Sequence, residues 1–132
     1  MEIRNVSSSF TTNKVEVSRD FYTRYLNANV TFDCGWYVNL EFGASGFSLQ
    51  FMSPRQSHHV LSKGDGIIYN FKVDNVDEVH KSYVKEGLKI VVPLEDHSWG
   101  DKGFGIKDPN GITLYFYEDT EPSSEFQQYF KD

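Results

Sequence analysis

The feature that most constrains this chain is an internal repeat with an offset of 61 residues, as between Phe10 and Phe71. The same offset relates Val15 to Val76, Glu16 to Asp77 and Tyr22 to Tyr83. Around each set, the apolar spacing predicts a strand, a helix and then three strands. The repeat therefore predicts two similar units with the order βαβββ.

Local signals set the expected bounds of these elements. The first half predicts strands over residues 2–10, 30–34, 36–42 and 46–52, and a helix with Asn13 as N-cap and Glu16 completing a capping box. The second half predicts strands over residues 66–73, 88–93, 102–108 and 111–118, and a helix between Asp74 as N-cap and Gly87 as C-cap. Residues 108–111, Asp-Pro-Asn-Gly, predict the turn between the last two strands, and Glu95 and Asp96 are expected in a plain loop.

Composition narrows the classes of partner. Thirteen basic and 19 acidic residues give a net charge of −6, which argues against nucleic acid and anionic membrane as partners. The sequence contains no apolar run long enough for a transmembrane helix. The single cysteine, Cys34, excludes an internal disulfide and fits a reducing, cytoplasmic location.

Several stretches together resemble a known superfamily. They are "VEVSRDFYTRYL" in the first half and "NVDEVHKSYVKEGL", "WG" and "GIKDPNGITLYFYE" in the second. Over roughly residues 2–118 the chain resembles the vicinal oxygen chelate superfamily, which includes glyoxalase I, extradiol dioxygenases and bleomycin-resistance proteins. The resemblance implies an α+β fold in which two βαβββ modules form a curled, open mixed β-sheet around a cavity. It implies one domain, 1–118, made of modules 1–53 and 66–118, and a tail, 119–132, that favours a short helix from Ser123.

Catalytic members of that superfamily hold a divalent metal on four strands. The matching positions here are Ser7, Gln50, Ile68 and Tyr115, and of these only Gln50 has a side chain suited to the metal. The resemblance then implies no metal and no cofactor. It points to the bleomycin-resistance branch, whose members are homodimers that sequester a small organic molecule such as a drug or metabolite. The alternative is a lyase, isomerase or dioxygenase relative with a non-standard metal site, and a third option is a domain whose cavity is vestigial.

Strand alternation gives the expected ligand contacts. One parity carries polar and aromatic side chains, whereas the other carries Phe47, Leu49, Phe51, Tyr69, Phe71, Leu114 and Phe116 and suits the face beneath the helices. Trp99 lies on a loop beside Gly100 and is a candidate stacking platform. The predicted ligand-binding residues are Asn5, Ser7, Ser48, Gln50, Met52, Asn70, Trp99, Tyr115 and Tyr117. No catalytic residue is assigned, and a site joining the His58–His59 loop to His97 is the minor alternative.

Overall fold

A computed structural model describes residues 1–131. The first half contains β1 (Val6–Thr11), α1 (Val15–Leu26), β2 (Asn29–Asp33), β3 (Tyr37–Glu41) and β4 (Phe47–Met52). The second half contains β5 (Ile68–Lys72), α2 (Val76–Lys85), β6 (Val92–His97), β7 (Asp101–Lys107), β8 (Thr113–Asp119) and α3 (Ser124–Gln127). Among residues 1–131, none of the helices has the length and apolar character that crossing a membrane requires.

The chain forms two compact units. Met1–Gly64 and Asp108–Gly111 make the first, while Asp65–Lys107 and the chain from Ile112 onward make the second. Each unit holds a four-stranded mixed sheet, with the orders β1-β4-β3-β2 and β5-β8-β7-β6. In each sheet the first and last strands of the unit's βαβββ order are paired in parallel, as β1–β4 and β5–β8, and the other pairs are antiparallel. The predicted α+β class and the repeated βαβββ order are confirmed.

The repeat is visible in the core of each unit. In the first unit, Phe10 stacks on Phe51 with ring centroids 5.8 Å apart, and Tyr22 packs against Phe51 at 5.5 Å. The second unit has the same three-ring arrangement, with Phe71, Phe116 and Tyr83 at centroid distances of 5.4 Å. Both helical tyrosines are buried, so each helix anchors its sheet through one aromatic side chain.

Two predicted ends of elements in the first unit are wrong. Residues 2–5 are not part of β1, because β1 pairs only with β4 and the pairing starts at Val6 opposite Phe47. The first helix has Lys14 at its N-cap and makes no side-chain cap bond there. Thr12 accepts the Lys14 backbone N–H instead, at 2.9 Å, so the predicted Asn13 cap does not form.

The second unit also differs from the predicted bounds. Asn75, rather than Asp74, caps α2, because its side chain accepts the Glu78 N–H at 3.2 Å. The β6 strand begins at Val92, which pairs with Gly105, and not at residue 88. It also runs on to residue 97, so Glu95 and the residue after it lie in a strand and not in a loop.

The Asp-Pro-Asn-Gly turn after β7 belongs to the first unit, where a buried polar network holds it. The hydroxyl of Tyr22 donates to Asp108 Oδ2 at 2.8 Å, and the Asn110 side chain donates to Ser18 Oγ at 2.9 Å. Asn110 also accepts from the Thr12 hydroxyl at 2.6 Å. All five residues are at most 8% exposed. The network therefore ties two parts of the chain that are nearly 100 residues apart, as the separation of 98 between Thr12 and Asn110 shows.

Replacing Tyr22 by Phe removes one donor from the buried Asp108 carboxylate. We expect the free energy of unfolding to fall by about 1–3 kcal/mol, because a buried carboxylate loses its shortest side-chain donor and keeps the bonds from Asn110. Urea unfolding measures the change, and Tyr129→Phe is the control because that side chain is exposed. An unchanged urea midpoint in Tyr22→Phe would contradict a stabilising role for the network.

Candidate functional site

A chain of polar side chains crosses the first sheet on the face opposite α1. Ser9 Oγ donates to Gln50 Oε1 at 2.9 Å, linking β1 to β4. The Gln50 amide nitrogen donates to Asn39 Oδ1 on β3 at 2.6 Å and to Ser48 Oγ at 3.2 Å. Asn39 in turn donates to Thr31 Oγ1 on β2 at 2.5 Å. Every strand of the sheet therefore contributes to one hydrogen-bonded row, which we call the polar row.

The other predicted site residues of the first unit lie at different places. Ser7 is exposed and pairs with Ser48, next to the polar row on the same face. Met52 is half-buried at the last position of β4. Asn5 lies before β1, where its side chain accepts the N–H of Val6 at 2.8 Å, so it is not on a strand face as predicted.

The matching face of the second sheet is aromatic. Asn70 on β5 and Tyr115 on β8 are directly paired, and Tyr115 pairs on its other side with Gly105 of β7. The rings of Tyr115 and Tyr117 stack along β8 with centroids 6.1 Å apart. The sheet thus brings together three of the predicted ligand contacts, with Asn70 exposed and both tyrosines partly exposed.

Gly103 on β7 makes room for the ring of Tyr115. A Cβ atom at residue 103 would overlap the Cζ and hydroxyl oxygen of Tyr115 and would lie 2.7 Å from the backbone oxygen of Phe116. The absence of a side chain lets the tyrosine lie across the sheet towards Asp101. Burial and a hydrogen bond to Asp101 both raise the pKa of Tyr115, so its hydroxyl stays protonated at neutral pH.

His97 at the end of β6 and Asp101 at the start of β7 form a close pair beside the turn that joins the two strands. The distance from His97 Nδ1 to Asp101 Oδ1 is 2.7 Å, and both side chains are only 16% exposed. The hydroxyl of Tyr115 lies 3.3 Å from the same nitrogen. The imidazole stacks on the indole of Trp99, with centroids 4.2 Å apart and planes 5° apart.

Trp99 itself lies in the turn between β6 and β7 and is 51% exposed. Besides His97, it contacts Phe126 of α3 edge to face, with centroids 6.5 Å apart. Sequence reasoning identified Trp99 but passed over Asp101, because the segment before Trp99 was expected to be a loop. The spacing of four residues across a tight hairpin is the signal that could have paired Asp101 with His97.

The four positions that match the metal ligands of catalytic relatives do not form a suitable donor set. Gln50 is 6% exposed and already bonds to three side chains in the polar row. Ile68 has no donor atom, Ser7 is a neutral alcohol, and the Tyr115 hydroxyl is bonded to Asp101. In the described part of the chain, no three His, Cys, Asp or Glu side chains are grouped so that they could hold a metal ion. These residues do not fit the metal of the catalytic relatives.

The repeated βαβββ units and their sheet faces define an α+β protein of the glyoxalase type. The sequence model of the Glyoxalase/Bleomycin resistance protein/Dioxygenase superfamily matches residues 6–116. This chain belongs to that superfamily. A sequence comparison with curated proteins gives no match.

Several solved structures share the fold at low sequence identity. An antibiotic-binding protein from Streptomyces sp. CB03234 is 17% identical, with a TM-score of 0.74 over 91% of this chain and 99% of the other. A superfamily member from Sphaerobacter thermophilus is 20% identical, with a TM-score of 0.73 over 90% and 99%. A lactoylglutathione lyase from Agrobacterium tumefaciens is 15% identical, with a TM-score of 0.69 over 89% and 94%. At these identities the similarity establishes the fold alone.

Replacing Gly103 by Ala tests the fit of Tyr115 over β7. We expect the free energy of unfolding to fall by about 1–3 kcal/mol, because the added methyl group meets both the ring and a fixed backbone oxygen. Gly105→Ala is the matched control and should lose less, since its Cβ would meet Val92 Cγ2 at 2.9 Å and Val92 Cβ at 3.1 Å, while the nearest backbone oxygen, that of Leu114, is 3.4 Å away. Thermal unfolding compares the two variants. Equal losses in both would show that the tyrosine does not need the space above Gly103.

Proposed function

We propose that the protein binds a small organic molecule without the metal of its catalytic relatives. In this proposal it lowers the free concentration of a drug or metabolite, as bleomycin-resistance proteins do, and works as a cytoplasmic homodimer. The ligand contacts come from the predicted set of residues, with Trp99 as the stacking surface. The one observation that carries the proposal is the unsuitable donor set at the four metal-ligand positions.

The state of Gln50 supports this proposal most directly. Here the Gln50 oxygen accepts from Ser9 and the amide nitrogen donates to Asn39, so both ends of the side chain bond within the polar row. A metal ion would find this amide oxygen without a second suitable donor at the three other matching positions. A row of amides and hydroxyls suits a ligand with its own polar groups, because such groups orient small molecules in protein sites.

Trp99 and its surroundings support an aromatic ligand. An indole that is 51% exposed and held by a stacked imidazole offers a rigid apolar surface in a polar setting. The fold shared with an antibiotic-binding protein is consistent with this use. Tyr129 and Phe130 in the tail are 64% and 63% exposed, and a second subunit would cover such apolar area.

The alternative function is that of a lyase, isomerase or dioxygenase relative with a metal site at non-standard residues. The fold shared with a lactoylglutathione lyase favours it. It requires several metal donors to converge, and residues 1–131 contain no such group of His, Cys, Asp or Glu. The third option is a vestigial domain that binds no small molecule, and it predicts that none of the compounds tested below binds.

Titration with bleomycin and a panel of planar aromatic compounds, followed by tryptophan fluorescence and thermal shift, tests the binding proposal. We expect saturable quenching and a higher melting temperature with at least one compound. Trp99→Ala should weaken that binding by roughly tenfold, because an aromatic contact contributes about 0.5–1.5 kcal/mol beyond burial.

The matched control is Trp36→Phe. Trp36 is 40% exposed, and its ring is covered by the Arg55 guanidinium at 4.2 Å, so its loss should leave affinity unchanged. No quenching or thermal shift with any compound would favour the vestigial domain. Unfolding of Trp99→Ala would show that Trp99 stabilises the fold rather than contacting a ligand.

A further inference from the structure

The imidazole of His97 is held on several sides in a way that leaves one nitrogen available. Asp101 is hydrogen-bonded to Nδ1, and the indole of Trp99 covers one face of the ring. The Tyr115 hydroxyl also lies near Nδ1. We propose that His97 is the general base of a metal-independent proton-transfer site on the second unit, which accepts a proton from an activated carbon acid through Nε2. The proposal goes beyond ligand binding and does not depend on it.

The contact with Asp101 fixes the tautomer. An ionised carboxylate can only accept, so at 2.7 Å the proton of a neutral His97 lies on Nδ1. The lone pair of Nε2 is then the free basic site. An Asp that orients a His in this way is the usual support for a general base, because it fixes both the tautomer and the direction of the ring.

The stacked indole fixes the plane of the ring. With only 5° between the two planes, Trp99 prevents the imidazole from tilting about its long axis. The Nε2 lone pair lies in the ring plane, so a substrate reaches it from the ring edge and not through the indole. In this role Trp99 and Asp101 are positioning residues, and His97 is the residue that touches the substrate.

Polar groups from β6, β7 and β8 face the ring of His97. Glu95 on β6 has a carboxylate oxygen 3.9 Å from Nε2, and Asp101 on β7 lies at the opposite nitrogen. On β8 the neighbouring group is the hydroxyl of Tyr115, which burial and Asp101 keep protonated.

The proposed reaction transfers one proton from a substrate carbon to His97 and needs no other reactant. Nε2 forms a bond to the proton, the substrate C–H bond breaks, and its electron pair moves into a conjugated group of the substrate itself. Return of the proton from Nε2 to another carbon completes an isomerisation, and departure of a leaving group completes an elimination. The substrate class is therefore a small compound with an acidic C–H bond beside its own electron-accepting group.

The elimination of 5-nitrobenzisoxazole tests the proposal, because the C–H electron pair forms the new nitrile bond while the N–O pair leaves on the phenolate oxygen. A base removes the C–H proton, the N–O bond breaks, and the coloured cyanonitrophenolate is released. With EDTA present throughout, we expect the protein to exceed an equal concentration of free imidazole by about 100-fold or more, within the range of general-base catalysis.

His97→Asn is the decisive variant. The asparagine amide can still donate to Asp101 from the position of Nδ1, but it has no counterpart of Nε2. We expect unchanged thermal unfolding and loss of the rate to the level of free buffer. Asp101→Asn should lower kcat by about tenfold or more with KM unchanged, because the ring can then adopt either tautomer, and Asp101→Glu should restore part of it.

His80→Asn removes a histidine of α2 that packs on Phe104 and lies outside the predicted site, so it is the control and should keep the full rate. A wild-type rate no greater than that of free imidazole would overturn the proposal. An equal rate in His97→Asn would overturn it as well, since another base would then be responsible. Should His97→Asn unfold, wild-type protein with its histidines blocked by diethyl pyrocarbonate provides the second measurement, and an undiminished rate there would also overturn it.

Discussion

The hydrogen bond from Tyr22 to the buried carboxylate of Asp108 is the contact on which much of this fold depends. It fixes a turn from the second half of the sequence within the first unit, together with the bonds of Asn110 to Ser18 and Thr12. The chain enters this turn from β7 and leaves it as β8, antiparallel to β7, so the turn fixes where their pairing begins. That pairing sets Tyr115 opposite Gly105 and brings its ring over Gly103.

The pairing of β7 with β8 also places Tyr115 in the candidate site. Glycine at 103 and tyrosine at 115 act together, because the ring can approach Asp101 only where β7 has no side chain. His97 completes the group from β6, the strand on the other side of β7. A position that corresponds to a metal ligand in catalytic relatives is here occupied by a phenol bonded within the protein. In the first unit the corresponding position, Gln50, likewise bonds to neighbouring side chains in the polar row.

Most of the fold could be predicted from the sequence, because the repeat that relates Phe10 to Phe71 and the local alternation along β4 and β8 are both visible in the residue pattern. Burial of Leu49 and Phe116 follows directly from that alternation. The start of β1 could not be predicted, since it depends on where β4 begins to pair. The His97–Asp101 pair was missed for a similar reason: the sequence does not reveal that β6 extends to residue 97. The ligand remains a prediction because neither sheet face specifies one compound.

Metal content is the most direct test of the central claim, which is a superfamily fold used without the superfamily metal. Untagged protein, purified without chelators, is measured by elemental analysis and by native mass spectrometry. We expect less than about 0.1 equivalent of Mn, Fe, Ni, Co or Zn, because the four ligand positions supply only one suitable side chain. Any co-purified mass should be that of an organic compound released on denaturation. One equivalent of such a metal, lost in Gln50→Ala, would contradict the account.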